Sequence, residues 1–426
     1  MSEALTAPVV RPKTGLQTPL VVAVAWRNLW RNRRRTWLTA GSIAFAIFLV
    51  VLAQSFQYGA YGAMIENATT LLSGHAQVQN QRYIDNDRFE YTIDDVTELV
   101  RVLEDVGGVA SVAPRVEAFA LVSADERSFG AQILGVELAR EQQTVRVFTD
   151  VVEGRMFAGD DEAVVGTGLA RNLELEIGGE LVVLGTAKQG GVAAFVFDVV
   201  GIVSSGVAEL DRVLVAAPLS AVQAGYDLGD EAHTLVIRTT DLDDSAETVA
   251  AIRGRLGDRY ENLAVRNWNE VMPDVEQAIE IDKLGGQLFY GIIMVVVAFS
   301  VVNTLIMTVF ERVREFGMLL AIGMRPGRIQ GLLQLESFFM WVLGAVLGLL
   351  LATIVVGWFG SVGLYLGEDL EEYAAQLHMP SRMYPALSWD AVLPAPIVLL
   401  IATQIAAVLP GLRIRGLKPV EALRTE

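Results

Sequence analysis

The sequence predicts an α-helical membrane protein of four transmembrane helices, with a large mixed α/β exterior domain between the first and the second. Three observations carry this. Mean hydropathy is +0.41 and 52% of residues are hydrophobic, yet the apolarity is gathered into a few runs. Each run reaches roughly 20 residues, enough for a hydrocarbon core of roughly 30 Å at 1.5 Å per helical residue. The roughly 230 residues between the first two runs are polar and acidic, room for one or two compact units.

A basic segment, 1–35, opens the chain. The first span occupies 36–58, around the uncharged run Trp37 to Gln57, and the exterior domain 59–285 follows. The second span, 286–310, contains Leu288 to Phe310 without a charge. A connector at 311–330 leads to the third span, 331–360, whose apolar run is Phe338 to Phe359. A loop at 361–390, a fourth span at 391–412 bent at its ends by Pro394, Pro396 and Pro410, and a tail at 413–426 complete the chain.

Orientation follows from short basic flanks, which stay in the cytoplasm. Arg27, Arg31, Arg33, Arg34 and Arg35 precede span one. Arg312, Arg314, Arg325 and Arg328 lie between spans two and three, and Arg413, Arg415, Lys418 and Arg424 follow span four. Both termini and the connector are therefore expected inside. Residues 59–285 hold 39 acids against 17 bases, and Glu368, Asp369, Glu371, Glu372 and Asp390 sit in the loop after span three. These belong outside. The net charge of −17 is thus an acidic exterior and a basic inner face, an arrangement for a membrane surface and not for nucleic acid.

The first 20 residues lack the apolar core of a cleaved signal, so span one reads as an uncleaved signal-anchor. With no cysteine, the chain has no thiol nucleophile, thiolate metal site or lipid-modified Cys. His75, His233 and His378 show no metal-ligand spacing and read as single surface polar residues. The acidic runs Asp85 to Glu90 and Asp241 to Asp244 lack the glycine of a calcium loop and read as solvated turns.

In the exterior domain, strands are expected at His75 to Gln81, Ala118 to Ala124, Ala131 to Glu137, Glu180 to Thr186, Ala194 to Val203, Arg212 to Ala217 and His233 to Thr239. Helices are expected at Ile93 to Val106, capped by Thr92, and at Ser245 to Leu256. A β-rich subdomain, about 126–230, is inserted between two strand–helix units, its turns marked by glycines in Gly154 to Val183.

The connector is amphipathic. Phe316, Met318, Leu319, Leu320 and Ile322 offer an apolar surface, and Glu311, Arg312, Arg314, Glu315 and Arg325 a charged rim, suited to a helix-in-groove contact. Gly323 and Pro326 end the helix. Pattern alone fits a plain membrane-surface connection equally well. Within the spans, Glu336 reads as a snorkelling residue or a partner of Arg328, and Gln54, Gln57, Asn303 and Gln404 as hydrogen bonds between helices. Gly344 and Gly348 mark close helix packing. Phe45, Phe48, Leu49, Leu52, Met294 and Val297 could line an apolar cavity open to the outer leaflet, although lipid-facing is the default for each.

Four segments carry a resemblance that touches both ends and the middle of the chain. REFGMLLAIGMRPGRI (Arg314 to Ile329), AWRNLWRNRRRTWLT (Ala25 to Thr39), GDDEAVVGTGLARNLELEIGGEL (Gly159 to Leu181) and KPVEALRTE (Lys418 to Glu426) resemble the ABC transporter permease family that includes MacB, FtsX, LolC and LolE. The resemblance implies a periplasmic domain with a porter-like part plus the inserted β-rich subdomain, in a multi-pass protein of the bacterial inner membrane. It also implies a dimer with a second permease subunit, identical or not, driven by an ATPase. No G-x-x-x-x-G-K-[ST] loop occurs, so ATP and Mg are expected on a separate cytoplasmic ABC ATPase, this chain being non-catalytic and without cofactor. That ATPase would dock on Glu311, Arg312, Arg314, Glu315, Phe316, Gly317, Met318, Leu319, Ala321, Ile322, Gly323 and Met324. The separate ATPase points to the LolC/LolE-like branch, with lipoprotein or another lipid-like cargo, membrane lipid around it and a periplasmic lipoprotein carrier as partner. MacB-like extrusion of a drug, peptide or toxin and FtsX-like activation of a cell-wall hydrolase are the alternatives.

Overall fold

In a computed structural model, residues 18–86, 88–148, 151–365, 367 and 382–415 are described. The opening 17 residues, the loop acids Glu368, Asp369, Glu371 and Glu372, His378 and the tail from residue 416, with Lys418 and Arg424, lie outside them. The chain divides into two compact units, Met1–Tyr61 with Ile281–Glu426, and Gly62–Glu280.

The first unit is helical. A lead-in helix, Thr18–Arg31, precedes four helices long and apolar enough to cross a membrane: Arg33–Ala68, Pro273–Glu311 and Pro326–Val362, then the helix that begins at Pro394 and runs to Arg415. The first two run well past the apolar stretches that sequence marks. At 36 and 39 residues they reach roughly 54 and 58 Å, nearly twice the hydrocarbon core. Helix formation needs no lipid, and nothing between residues 58 and 68 stops it. The first helix gives way to a π-helical turn, Thr69–Ser73, and Gly74 takes a φ of 69°.

The four spans meet around Ile43, Ile47, Val301, Leu305, Ala352 and Leu399. Spans one and three touch backbone to backbone. A Cβ on Gly344 would stand 2.9 Å from the Ala40 carbonyl oxygen, and one on Gly348 2.6 Å from that of Ala44. The small-x-x-x-small pair thus serves close approach, as its spacing suggests. Spans three and four are pinned by side chains donating to backbone carbonyls: Trp341 Nε1 to Pro396 at 2.9 Å, Gln330 Nε2 to Ala407 at 3.3 Å and Ser337 Oγ to Thr403 at 3.3 Å.

The neutral polar residues behave unequally. Gln57 donates to Asp282 Oδ2 at 2.9 Å and accepts from the Tyr290 hydroxyl at 3.0 Å, while the Tyr61 hydroxyl donates to the same Asp282 oxygen at 2.6 Å. Gln54 and Gln404 depart from expectation. Gln54 Oε1 and Gln404 Nε2 are buried without a hydrogen-bond partner, and Asn303 is exposed.

The second unit is β-rich. Its strands are β1 (Ala76–Asn80), β2 (Val109–Ala124), β3 (Arg127–Val136), β4 (Val151–Gly154), β5 (Glu162–Gly166), β6 (Glu180–Thr186), β7 (Val192–Val203), β8 (Leu214–Pro218), β9 (Thr234–Thr239) and β10 (Leu263–Asn267). The first half of β2 completes an antiparallel sheet ordered β10-β1-β9-β2. Helices Val96–Glu104 and Ser245–Leu256 cover it, burying Leu99, Leu103, Val249 and Ile252 against Val78, Leu235 and Ile237.

The second half of β2 enters a ring. It pairs with β3 and β6, β3 with β8, β8 with β5, β5 with β7, and β7 with β6. Because side chains alternate along a strand, even residues of β2 (Val116, Ala118, Ala120, Val122) point into the ring with Ile133, Val165, Val183, Phe197 and Val215. Phe119, Leu121, Leu184, Val192 and Val196 are left on its outside.

Several expectations need correction. The β-rich part begins near Val116 and not at 126, because the 16-residue β2 serves both sheets. The helix expected over Ile93 to Val106 spans only Val96–Glu104, and its N-cap is Asp95 at φ 51°. Thr92 is drawn elsewhere: its hydroxyl donates to Glu231 Oε2 at 2.5 Å and accepts from Lys188 Nζ at 3.0 Å. His75 and His233 are buried, not surface, residues. His75 Nδ1 lies 2.7 Å from Thr239 Oγ1, and burial lowers its pKa against the opposing pull of Glu66. His233 Nδ1 accepts from the Glu117 amide at 3.2 Å, with Nε2 2.9 Å from the Phe89 carbonyl.

Gly348→Ala is expected to destabilise the chain by about 1–3 kcal/mol through overpacking against Ala44. Gly357→Ala, in the same helix with open space at its Cβ, should be neutral or stabilise by up to about 1 kcal/mol. Thermal unfolding in mild detergent compares them.

Candidate functional site at the connector helix

The second span helix ends at Glu311, Arg312 breaks it at φ −112° and ψ 13°, and a short helix, Val313–Ala321, follows. Its far end is closed by a Schellman motif. The Gly323 amide donates to the Leu320 carbonyl at 3.0 Å and that of Met324 to Leu319 at 2.9 Å, with Gly323 at φ 95°. Leu319 and Met324 both pack on the local apolar cluster, the contact that accompanies this motif. Pro326 then stands at the first position of the third span helix, where its missing amide costs nothing.

One face of the short helix is built into the protein. Phe316 is fully buried among Val309, Ile329 and Leu333, with Leu319, Leu320 and Met324 partly covered beside it, and Gly317 is buried too. This corrects the expectation that Phe316 and Gly317 face a partner. The opposite stripe is bare. Met318 is 47% and Ile322 85% exposed; Ala321 and Gly323 are open beside them, with Arg314 one turn before and Arg325 just after.

Three of the five rim residues, Glu311, Arg312 and Glu315, are engaged within the protein. Arg312 donates through Nε to Glu315 Oε2 at 2.9 Å and through Nη1 to Glu336 Oε1 at 3.2 Å, and its guanidinium lies 5.2 Å from the centre of the Phe316 ring. Asn28 Nδ2, from the lead-in helix, donates to the same Glu336 oxygen at 2.8 Å. Arg31 pairs with Glu315, and Arg35 Nη1 donates to Glu311 Oε2 at 2.7 Å. The network therefore ties the lead-in helix and spans one, two and three to the connector.

Its centre is dry. The side chains of Arg312 and Glu336 are only 13% and 8% exposed. Burial alone would raise the pKa of Glu315, but hydrogen bonds from Arg31 and Arg312 hold it below the usual carboxylate range. Glu336 does not snorkel: it is held inside by Arg312 and Asn28. Arg312 reaches it first, because the turn at residues 323–325 folds the chain back and sets the second span's end beside the third span's start.

The six residues of the candidate cargo cavity do not come together on one surface. Phe45 is exposed on the bundle's outside. Met294 is buried in the packed interior, with Phe48 and Val297 partly buried against the same cluster and Leu49 and Leu52 half-buried. Asn28, Arg31 and Arg35 were missed as members of the connector network. Asn28 is 308 residues from Glu336, and no local pattern reports such a contact.

Two family models match the chain. One, the MacB-like periplasmic core domain, covers residues 36–255, just over half of the sequence, and the other, the FtsX-like permease C-terminal region, covers residues 288–419. Among curated relatives, the lipoprotein-releasing system transmembrane protein LolC of Neisseria meningitidis is 24% identical over 92% of this chain and 94% of its own length. The macrolide export ATP-binding/permease protein MacB 1/2 of Paracoccus denitrificans is 26% identical over 77% of this chain, which spans half of that protein. The solved periplasmic region of MacB from Actinobacillus actinomycetemcomitans aligns with 47% of this chain and 92% of its own, at 14% identity and a TM-score of 0.35.

Replacing either Arg312 or Glu336 by Leu should destabilise the helical unit by about 3–5 kcal/mol, because each leaves the other charge buried and unpaired. The double replacement should cost less than the sum of the two. A double-mutant cycle on detergent-unfolding midpoints measures the difference.

Proposed function

We propose, because the chain belongs to the family of ABC transporter permeases with a MacB-like periplasmic core domain and an FtsX-like C-terminal region, that it couples ATP hydrolysis by a separate cytoplasmic ATPase to the release of lipid-modified proteins from the inner membrane. One observation carries the coupling. The connector helix is locked on one face by Phe316 and the Arg312–Glu336 pair, and bare on the other along Arg314, Met318, Ala321 and Ile322. A free apolar stripe on a fixed helix is what a partner's groove can push. Displacement of the connector would reach span three through Glu336, the lead-in helix through Asn28 and Arg31, and span one through Arg35, as a rigid-body movement.

ATP and Mg belong, in this reading, to the ATPase, with the connector and both termini in the cytoplasm, the acidic unit outside and a second permease subunit completing the transporter. The cargo assignment draws on relatives that release lipoproteins and align along nearly the whole chain, as the Neisseria protein does. Delivery to a periplasmic carrier follows from that cargo. MacB-like extrusion is the second reading, favoured by the extent of the MacB-like core match.

Met318→Asp with Ile322→Asp should abolish co-purification of the ATPase while leaving thermal stability unchanged, since both side chains are exposed. Undiminished co-purification would remove the connector as the docking site. Mass spectrometry of the complex purified with its native partners tests the cargo. Acylated peptides released on adding ATP support lipoprotein release, and an adaptor without acylated cargo supports extrusion.

A further inference from the structure

The lead-in helix carries charge that the connector network does not use. Ala25 and Leu29 are buried on one side of it. On the next side Trp26 and Trp30 stand edge to face at 5.8 Å, and the aromatic chain continues from Trp26 to Phe339 of span three at 5.5 Å and from Trp30 to Trp37 of span one at 6.3 Å. Trp26 and Trp37 nevertheless remain 46% and 48% exposed, and Leu38 beside them is more exposed still.

The five arginines here divide into two sets. Arg31 and Arg35 are neutralised by Glu315 and Glu311. Arg27, Arg33 and Arg34 are exposed and face no carboxylate within ion-pair distance among the described residues. Trp26, Arg27, Trp30 and Arg31 line an open groove of about 630 Å³.

We propose that this groove, with the exposed Arg33 and Arg34 that open the next helix, binds the phosphate of an anionic phospholipid headgroup. The inference rests on the chain's being a membrane protein and is independent of its ATPase and cargo. Three features favour lipid over a protein partner. The uncompensated guanidiniums stand at or just before the start of a helix long and apolar enough to cross a membrane. Guanidinium forks match phosphate oxygens in pairs. Exposed indoles with one apolar edge and one N–H are the residues that sit at a membrane–water boundary. The arginines hold the phosphate, and Trp37 and Leu38 lie against the start of the acyl chains.

The test uses the full chain, delipidated in detergent and offered phosphatidylglycerol and phosphatidylcholine in equal amounts, with retained lipid read by native mass spectrometry. The chain should retain phosphatidylglycerol in preference, and the variant Arg27→Gln/Arg33→Gln/Arg34→Gln should lose that preference by on the order of a hundredfold, at about fivefold per arginine. Arg314→Gln/Arg325→Gln, exposed arginines away from the groove, should keep it. Excess inorganic phosphate should not displace the lipid if the acyl chains take part. An unchanged preference in the triple variant overturns the proposal. So does loss of the ATPase from that variant with lipid retention intact, which would assign the arginines to a protein contact. The triple variant leaves Arg31 and Arg35 in place, and an unchanged thermal midpoint shows that it is folded.

Discussion

A carboxylate placed in the interior of a helical bundle has to be answered by charge and hydrogen bonds, and the arrangement of one end of this molecule follows from how Glu336 is answered. Arg312 provides the counter-charge, Asn28 the additional hydrogen bond. To put Arg312 there, the second helix must stop at Glu311 and the chain must reverse within a few residues. Gly323 at φ 95° and Pro326 at the head of the next helix achieve that. Asn28 in turn fixes the lead-in helix against span three, and the edge-to-face contact of Trp26 with Phe339 repeats it in apolar form. Removing the carboxylate would leave these pieces in contact but without a shared reason for their register.

The same constraint explains why the connector has two characters. Its inward side chains satisfy Glu336 and fill the space around Ile329 and Leu333, so they are committed to the fold. Its outward side chains, Arg314, Met318 and Ile322 among them, are exposed and make no ion pair or apolar-cluster contact among the described residues. That division places the free stripe on a stiff support, which is the mechanical requirement for a lever. The second unit follows a different economy of parts: β2, 16 residues long, is at once the last strand of a helix-covered sheet and a stave of a closed ring, so the two halves share one backbone segment.

Periodicity made some of this legible. The four apolar runs, the amphipathic connector, the glycine pair Gly344 and Gly348 and the strand at Glu180–Thr186 could all be read from residue order, because each is a local pattern with one physical meaning. Long-range pairing could not. Glu336 looked like a snorkelling residue because its position near a helix start is compatible with that, and only the folded chain reveals Arg312 and Asn28 beside it. Phe316 looked like part of a binding surface because amphipathicity defines a face without saying what covers it. Nothing in the sequence around His75 and His233 marks them as buried, because their partners Thr239 and Glu117 come from other strands. Short strands such as Glu162–Gly166 and Leu263–Asn267 gave too few alternations to register.

The sequence separations within the connector network also bear on how the protein is made. Arg312 and Glu336 are 24 residues apart, so they leave the ribosome almost together, and spans two and three can enter the membrane as a hairpin with their charges already matched. Asn28 and Arg31 are synthesised far earlier, and each waits about 300 residues for its partner. The whole β-rich unit is therefore translated between the first span and the second. Arg31 can meet Glu315 once the connector is made, whereas the Asn28–Glu336 bond closes only when the third span follows, so the joint is completed in two steps.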